Sequence, residues 1–362
     1  MPKVLIVIAR LNKGGTAQFI SHLYEEMPKN VYQIVVATGY VQGSEIEDQS
    51  VKKINPIRIK HLGRSINPIK DLLSFFELRK LVSQIRPDII YSHTFKAGLL
   101  VRLLGTNIPV IHTFHGHLLD DPTIKGIKKS VLIRIERSLA KRTKILVTIG
   151  KQVGRELIEV GIGKKSQYFS MDPGIHPLIL SKPFDVRKKF KLEKEKRPIV
   201  AWVARMAPVK RPDRVTKLAL SIPEAKFIMA GGGELFQTIK NQQIHNIDVL
   251  GWVKAEEIYA IADVAINTSE NEGMPISLIE AQYAGIPVVA TKVGSVSEVI
   301  ENGKTGFVVK DFDKDFANRL KTLIENPSMH KKMGKAAAKR SKKEFDPRRF
   351  VQDHLKLFKR AL

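Results

Sequence analysis

Two carboxylates in the second half of the chain stand eight residues apart, Glu272 and Glu280, in the run SENEGMPISLIEA. The apolar residues after Pro275 predict a helix, which puts Glu280 about two turns beyond Glu272. Carboxylates accept hydrogen bonds from hydroxyl groups, so one could contact a sugar and the other a ribose. The alternative is a salt-bridged helix residue and a charge at a helix start. Because an unpaired carboxylate is costly to bury among apolar residues, Glu280 requires a partner.

Two cations follow an apolar run in the same half of the chain. Arg205 comes directly after the predicted strand Pro198–Ala204, and Lys210 lies at the start of the next predicted helix. A guanidinium fork and a mobile ammonium group suit a diphosphate. A single charge in such a loop would favour simple solvation, whereas the pair in this position favours the binding of an anion.

A glycine pair, Gly14 and Gly15, separates the first predicted strand from the first predicted helix. Two glycines let backbone N–H groups approach an anion, and a helix N-terminus adds a favourable dipole. The alternative is a tight turn without a ligand. The spacing is not that of a dinucleotide-binding fingerprint, which disfavours a nicotinamide oxidoreductase.

Three histidines, His112, His115 and His117, end a predicted strand of the first half. Their spacing differs from the helical pairs of zinc enzymes and no carboxylate supports them locally, so we expect no metal site. A histidine at a strand end suits hydrogen bonding to a sugar or an acceptor, although one or two of the three could simply satisfy the core. The D-x-D sequence Asp311–Asp313 lies in a charged loop, where we expect it to be solvated.

The elements that must position these residues form two β/α series. Their strands are nearly continuous in apolar residues, which indicates parallel sheets covered on both faces by helices. We therefore predict an α/β protein with two Rossmann-like, doubly wound domains facing across a cleft. Ligands bind outside the carboxyl ends of the strands in such sheets, which is where most of these residues lie. The predicted divisions are an N-terminal domain (1–175), a linker (176–197), a C-terminal domain (198–345) and a terminal helix packing back on the N-terminal domain (346–362).

The predicted strands are short and regularly spaced along both series. They are Lys3–Ala9, Tyr32–Thr38, Asp88–Ser92, Pro109–Phe114, Lys144–Ile149, Pro198–Ala204, Ala225–Ala230, Ile247–Leu250, Val264–Thr268, Pro287–Ala290 and Gly306–Val309. A predicted helix, Lys70–Ile85, has an apolar face that we assign to Leu72, Phe75, Phe76, Leu78, Val82 and Ile85.

The charge of the chain is strongly basic and uneven. The formal net charge is +25, and residues 51–150 hold 19 Lys and Arg against 6 Asp and Glu. Such an excess requires a polyanionic neighbour, either nucleic acid, an anionic membrane or phosphorylated substrates. In the predicted helix Thr123–Lys144, basic Arg134, Arg137 and Lys141 lie opposite apolar Val131, Ile135 and Leu139. That pattern fits a helix lying on an anionic membrane, or equally an ordinary helix with a solvated face.

The chain contains no cysteine and no run of about 18 apolar residues, and its first residues lack the form of a secretory leader. We therefore expect a cytoplasmic protein, peripheral on the inner face of the plasma membrane.

Together these features resemble glycosyltransferase family 4, the retaining transferases with the GT-B fold, over nearly the whole chain and most densely over Pro198–Val309. The E-x7-E element is matched by the two carboxylates and the family's Arg/Lys pair by the two cations. The glycine pair matches the N-terminal loop, and the strand-end histidine that contacts the donor sugar best matches His115. Glycine is common in the family where this chain has Arg211 and Ser295, which affects loop shape more than charge.

The resemblance implies a role for each residue. Catalytic roles fall to Glu272, His115, Arg205 and Lys210. Substrate-binding roles fall to Gly14, Gly15, Arg205, Lys210, Gly251, Trp252, Glu272, Gly273, Met274, Pro275 and Glu280. Glu280 would bind the ribose, Glu272 would orient the donor sugar, and Gly251 and Trp252 would lie near the base.

The implied activity is a retaining, metal-independent transfer of a hexose or N-acetylhexosamine without a cofactor. The donor would be a nucleotide diphosphate sugar, with UDP favoured, held by the C-terminal domain. The acceptor, a lipid-linked saccharide or polysaccharide, would be held by the N-terminal domain. Two alternatives remain at this point, a sugar-nucleotide epimerase on the same fold and a basic nucleic-acid-binding protein. The carboxylates disfavour the latter because they repel phosphates.

Overall fold

The computed structural model describes residues 1–43, 45–116, 119 and 124–362. The described chain forms two compact units, the first made of Met1–Gly174 with Pro347–Leu362 and the second of Ile175–Asp346. His117 and Thr123, which entered the sequence predictions, lie outside the described residues.

The first unit is built on a parallel sheet in the order β3-β2-β1-β4-β5-β6-β7. The apolar run of β1 is almost completely buried, as expected for a strand covered on both faces. The strands are β1 (Lys3–Ile8), β2 (Gln33–Thr38), β3 (Ile57–Arg58), β4 (Ile89–His93), β5 (Val110–Phe114), β6 (Ile145–Thr148) and β7 (Tyr168–Ser170). The short edge strands β3 and β7 are not among the predicted strands.

The helices of the first unit connect these strands. They are α1 (Gly15–Glu26), α2 (Val51–Ile54), α3 (Pro68–Ile85), α4 (Phe95–Leu103), α5 (Gly126–Ala140), α6 (Lys151–Glu159) and the terminal α15 (Pro347–Ala361). The chain adds β2 and β3 on one side of β1 and then adds β4 to β7 on the other side. Because the crossovers are right-handed, this change of direction puts α3, α4 and α5 on the same face of the sheet. In keeping with this, α3 packs on α4 and α4 packs on α5.

The terminal helix α15 packs on α1 of the first unit. Phe350 meets Phe19 edge to face, with ring centroids 4.8 Å apart. Phe358 packs in the same way on Tyr91 of β4, at 5.8 Å. This helix therefore supplies part of the core of the first unit.

The second unit repeats the architecture in the order β10-β9-β8-β11-β12-β13. Its strands are β8 (Ile199–Val203), β9 (Lys226–Ala230), β10 (Ile247–Gly251), β11 (Val264–Asn267), β12 (Val288–Thr291) and β13 (Gly306–Val309). Its helices are α7 (Pro183–Lys189), α8 (Pro212–Ser221), α9 (Phe236–Lys240), α10 (Ala255–Tyr259), α11 (Ile276–Tyr283), α12 (Val296–Val299), α13 (Ala317–Glu325) and α14 (Pro327–Glu344).

The segment predicted as a linker, 176–197, is part of the second unit. It contains helix α7, whose Val186 is buried, and Leu192, which packs in the same cluster as Ile199 of β8. The Lys-rich composition that suggested a linker belongs to the exposed side of this helix and the turn after it.

Two helices of the first unit turn apolar side chains outward, contrary to the sequence prediction for α3. Leu72 and Phe76, assigned above to one face with Leu78 and Val82, are 57% and 54% exposed. The buried side of α3 is instead Ser74, Leu78, Leu81 and Val82. In α5, Leu139 is buried but Val131 and Ile135 are exposed.

In the described part of the chain, no helix combines the length and the apolar character needed to cross a membrane.

Candidate functional site

Strand order in the second unit reverses between β8 and β11. Loops at such a switch point leave the sheet in opposite directions and open a crevice at the carboxyl ends of the strands. Arg205 and Lys210 lie in the loop after β8, and the run Ser269–Gly273 lies in the loop after β11. The fold therefore brings the two cations and the first carboxylate to one crevice.

Lys210 and Glu272 are in direct contact. The Lys210 Nζ donates to Glu272 Oε1 at 2.6 Å, although 62 residues separate them in sequence. The same oxygen accepts from Asn267 Nδ2 at 3.0 Å and from Ser269 Oγ at 2.7 Å. Three donors on one oxygen fix the carboxylate in a single orientation.

The loop around Glu272 is fixed by its neighbours at the ends of β11 and β12. Thr291 donates its hydroxyl to the carbonyl of Ser269 at 2.6 Å, and the Ser295 amide donates to the carbonyl of Gly273 at 3.1 Å. Gly294 has φ +45° and lies so close that a Cβ there would come within 1.8 Å of the Glu272 carbonyl oxygen. Only glycine fits this approach, so the backbone of Glu272 is as constrained as its side chain.

A second glycine loop, Gly231–Gly233, packs against the loop that carries Arg205. The Met206 amide donates to the carbonyl of Gly232 at 2.8 Å, and a Cβ on Gly231 would lie 1.9 Å from the Ala204 carbonyl oxygen. The indole of Trp252 lies directly against Gly232. The Gly231–Gly233 loop therefore contacts both Trp252, predicted to lie near the base, and the loop that carries Arg205, predicted to bind the diphosphate. These segments form one wall of the crevice.

Glu280 lies in the second turn of α11 and is only 9% exposed. The hydroxyl of Tyr259 is 3.4 Å from Glu280 Oε2 and 2.8 Å from the carbonyl oxygen of Ser277. A hydroxyl has one proton to donate, and the nearer carbonyl takes it, so Tyr259 contributes a weak contact to Glu280. Burial and the neighbouring carboxylate raise the pKa of Tyr259 well above its usual value, which keeps the hydroxyl protonated.

A charged group that sequence reasoning did not assign joins the loops after β8 and β11. Arg211 contacts both Asp213 and Glu270, and Arg214 donates to the carbonyl of Thr268 at 3.0 Å. The hydrogen bond to Asp213 is the main cause that raises the pKa of Arg211 above its usual value. These contacts hold the β8 and β11 loops together. The sequence also offered a reason to include Asn267 and Ser269, the two other donors to Glu272. Both lie at the end of the predicted strand Val264–Thr268, where site residues are expected.

The first unit has its own switch point, between β1 and β4. Gly14, with φ +148°, and Gly15 lie after β1 at the start of α1. His93 ends β4 and His115 follows β5, and their rings are linked by a 2.9 Å contact between His93 Nδ1 and His115 Nε2. Burial lowers the pKa of His115 to about 3, so this imidazole is neutral at physiological pH.

His112, the other described member of the histidine run, points into the core of the first unit. It is buried, and its Nδ1 lies 3.0 Å from the hydroxyl of Ser92. Among the described residues, no cluster of His, Asp or Glu side chains has the arrangement of a metal site. Asp311 of the D-x-D sequence accepts instead from the backbone amide of Lys314 at 3.3 Å.

The sequence matches two family models. "Glycosyl transferases group 1" matches residues 184–340, in the second unit, and "Glycosyl transferase 4-like domain" matches residues 14–167, in the first. A curated relative from Escherichia coli, UDP-Gal:alpha-D-GlcNAc-diphosphoundecaprenol alpha-1,3-galactosyltransferase, is 28% identical over 84% of this chain and 83% of its own.

Two solved structures have a similar fold. Sucrose-phosphate synthase from Thermosynechococcus elongatus superimposes with a TM-score of 0.84 at 16% identity, over 99% of this chain and 98% of that one. Anabaena HepE in complex with UDP and glucose superimposes with a TM-score of 0.82 at 18% identity, over 99% of this chain and 100% of that one.

Proposed function

Because the chain belongs to the group 1 glycosyltransferases of family 4, we propose that it moves a hexose or N-acetylhexosamine from a UDP-sugar to a lipid-linked or polysaccharide acceptor. Its two units have the GT-B fold and its activity is glycosyl transfer. The E. coli relative is named for a UDP-sugar donor and a diphosphoundecaprenol-linked acceptor, which supports both choices. Neither the epimerase nor the nucleic-acid-binding alternative is supported by these matches.

The observation that carries the proposal is the contact between Lys210 and Glu272 in the crevice of the second unit. Breaking a sugar–diphosphate bond builds negative charge on the leaving group and positive charge on the sugar. An ammonium group has three N–H donors, so Lys210 can keep its bond to Glu272 and still donate to a phosphate oxygen. Arg205, in the same loop after β8, would add a guanidinium fork. Lys210 would thus stabilise the negative charge that develops on the diphosphate, and Glu272 the positive charge that develops on the sugar.

Glu272 is the proposed anchor of the donor sugar. Its carboxylate is oriented before any substrate arrives, because Lys210, Asn267 and Ser269 all donate to it. The amides of Gly273 and Met274, with Pro275 closing the turn, would hold the sugar hydroxyls. Such preorganised groups need no rearrangement during the reaction.

The nucleoside is proposed to lie against the wall formed by Gly251, Trp252 and the Gly231–Gly233 loop. Glu280 would accept the ribose hydroxyls, because its carboxylate lies in the second turn of α11, the helix that follows the crevice loop. A half-buried indole beside a backbone loop suits the stacking of a flat base. In the first unit, Gly14, Gly15 and His115 keep the substrate-binding and catalytic roles that the resemblance implies as predictions, offering backbone amides and a neutral imidazole.

We propose retention of configuration without a metal ion. Three hydrogen bonds occupy Glu272 Oε1 and make that oxygen a weak nucleophile, which favours attack of the acceptor on the same face as the departing diphosphate. Arg205 and Lys210 would neutralise the diphosphate in place of a divalent cation. The anomer of the product, determined by NMR, and turnover in excess EDTA test these two statements. An inverted anomer or loss of activity in EDTA would contradict them.

The acceptor is proposed to be presented at an anionic membrane surface, with the protein peripheral on the inner face of the plasma membrane. The basic excess over 51–150 supports this location, because anionic lipid attracts clustered Lys and Arg.

A thermal-shift panel of UDP-, GDP- and ADP-sugars tests the donor assignment. A ligand at about 100 times its dissociation constant adds roughly 2.7 kcal/mol of stability. We expect this with a UDP-sugar for the wild type and for Lys217→Ala, an exposed lysine of α8, but a much smaller shift for Lys210→Ala. A release assay separates transfer from epimerisation, because transfer yields one UDP for each sugar moved. Equal shifts in both variants would overturn the assignment of the crevice.

A further inference from the structure

Helix α3 carries two apolar stripes on different sides. One stripe faces the core and the other faces outward at positions i, i+3, i+4 and i+7, which share one side of a helix. The loop before the helix adds a fifth apolar residue to this outward stripe. Its members, 42–77% exposed, are Ile66, Ile69, Leu72, Leu73 and Phe76.

The neighbouring helices of the same layer extend this surface. Helix α4, which packs on both α3 and α5, exposes Leu103 at its end. Helix α5 exposes Ile127, Val131 and Ile135, four residues apart along one side, at 83%, 44% and 36%. Exposed apolar residues are common singly, but a row of them along the outer side of each of two helices in one layer indicates an interaction site.

The charges around this surface are almost all positive. Residues 60–86 and 125–144 hold 14 Lys and Arg against 3 Asp and Glu. Within α3 and α5, all of whose residues are described, each acidic side chain is held by a partner of the same unit. Asp71 pairs with Lys96, Glu77 with His61, and Glu136 with Arg102. The outward sides of both helices therefore present apolar groups and cations together.

We propose that the outward stripe of α3 inserts into the headgroup region of an anionic lipid bilayer, while exposed cations such as Lys128 and Arg134 of α5 bind the lipid phosphates. Apolar side chains flanked by Lys and Arg, with their acids turned away, match the two layers of a membrane surface. A protein partner would need an acidic rim of its own to match so many cations. This inference rests on the membrane location proposed above and assigns the surface that binds, and it is independent of the sugar chemistry because adsorption to lipid requires no nucleotide sugar.

Vesicle flotation of the full chain at physiological salt tests the proposal without donor or acceptor. We expect binding to vesicles containing phosphatidylglycerol and little binding to pure phosphatidylcholine. Leu72→Ser/Phe76→Ser should weaken binding about 100-fold, since each side chain withdrawn from lipid weakens partition about tenfold. The matched control is Leu220→Ser/Phe184→Ser in the second unit, where the replaced residues are 65% and 72% exposed, and it should bind like the wild type.

A fluorescence measurement separates insertion from simple charge attraction. In the variant Phe76→Trp the new indole should be quenched by brominated phosphatidylglycerol vesicles, whereas the indole introduced by Phe184→Trp should not be quenched. Lys128→Ala/Arg134→Ala should reduce binding to anionic vesicles about 30-fold, because each cation near an anionic lipid surface contributes about 1 kcal/mol to binding.

Three results would overturn the proposal. The first is equal loss of binding in the α3 and control variants, and the second is an unquenched indole in the variant Phe76→Trp. The third is a wild-type dimer in sedimentation that Leu72→Ser/Phe76→Ser dissociates, which would show that a second copy covers the stripe. Because these assays contain no sugar, they can fail while the transferase proposal stands, and the reverse also holds.

Discussion

The two units share one sheet topology but place opposite chemistry at their switch points. In the second unit the crevice between β8 and β11 holds an ion pair, Lys210 with Glu272, and a buried carboxylate, Glu280. In the first unit the crevice between β1 and β4 holds a glycine pair and two linked, neutral imidazoles. The topology supplies a crevice in each case, and only the strand-end residues decide whether it suits a charged ligand.

The largest expected effect is on the charged crevice. Lys210→Ala should lower kcat about 100- to 1,000-fold, because the leaving diphosphate loses one preorganised donor worth about 3–4 kcal/mol. Steady-state kinetics with the preferred donor measure this. Lys217→Ala should retain wild-type kinetics, and a loss under about threefold in Lys210→Ala would remove the lysine from the mechanism.

Replacing one glycine in each unit tests how tightly the backbone is packed around each crevice. Gly294→Ala should lower the free energy of unfolding by about 2–3 kcal/mol, because the new Cβ collides with the Glu272 carbonyl and φ is +45°. Gly14→Ala meets no atom within 4 Å and should cost backbone strain alone, about 1–2 kcal/mol. Urea denaturation measures both. Equal costs would show that the tight approach at Gly294 relaxes easily.

Acid should weaken the first unit through its buried histidines. Burial lowers the pKa of His354 to about 4 from 6.5, so the unfolded chain binds more protons between these values. Stability is therefore constant above about pH 7 and falls as the pH drops, by roughly 2 kcal/mol at about pH 5 from this residue. His354→Phe should flatten the profile measured by denaturation, whereas His245→Gln, an exposed histidine of the second unit, should leave it unchanged.

The smallest effect is expected at the neutral crevice. His115→Gln should reduce kcat by about five- to tenfold, because a neutral imidazole contributes one uncharged hydrogen bond worth about 1 kcal/mol. A drop as large as that of Lys210→Ala would erase the distinction between the two crevices. His245→Gln serves as the control for the substitution itself.

Sequence reasoning predicted most strands of the two sheets and put the candidate site residues directly after strands, because both kinds of prediction follow from local patterns. Apolar runs mark buried strands, and polar residues directly after them mark the carboxyl edge. The contact between Lys210 and Glu272 could not be predicted, since it depends on how two loops meet across the sheet. The exposure of Leu72 and Phe76 was not predicted for a related reason. Periodicity reveals apolar sides of a helix but not which one the sheet covers. Strands β3 and β7, two and three residues long, carry too little pattern to recognise.

The position of helix α15 at the end of the chain affects co-translational folding of the first unit. The aromatic side chains that it adds to the first unit, among them Phe350 and Phe358, follow the whole of the second unit in the chain. Residues 1–174 of the first unit are synthesised first, but the second unit is complete before α15 is made. Until then Phe19 and Tyr91 lack the aromatic partners that α15 provides. The first unit is therefore begun first and completed last, and a stop codon placed after residue 346 should leave a foldable second unit joined to an unfinished first one.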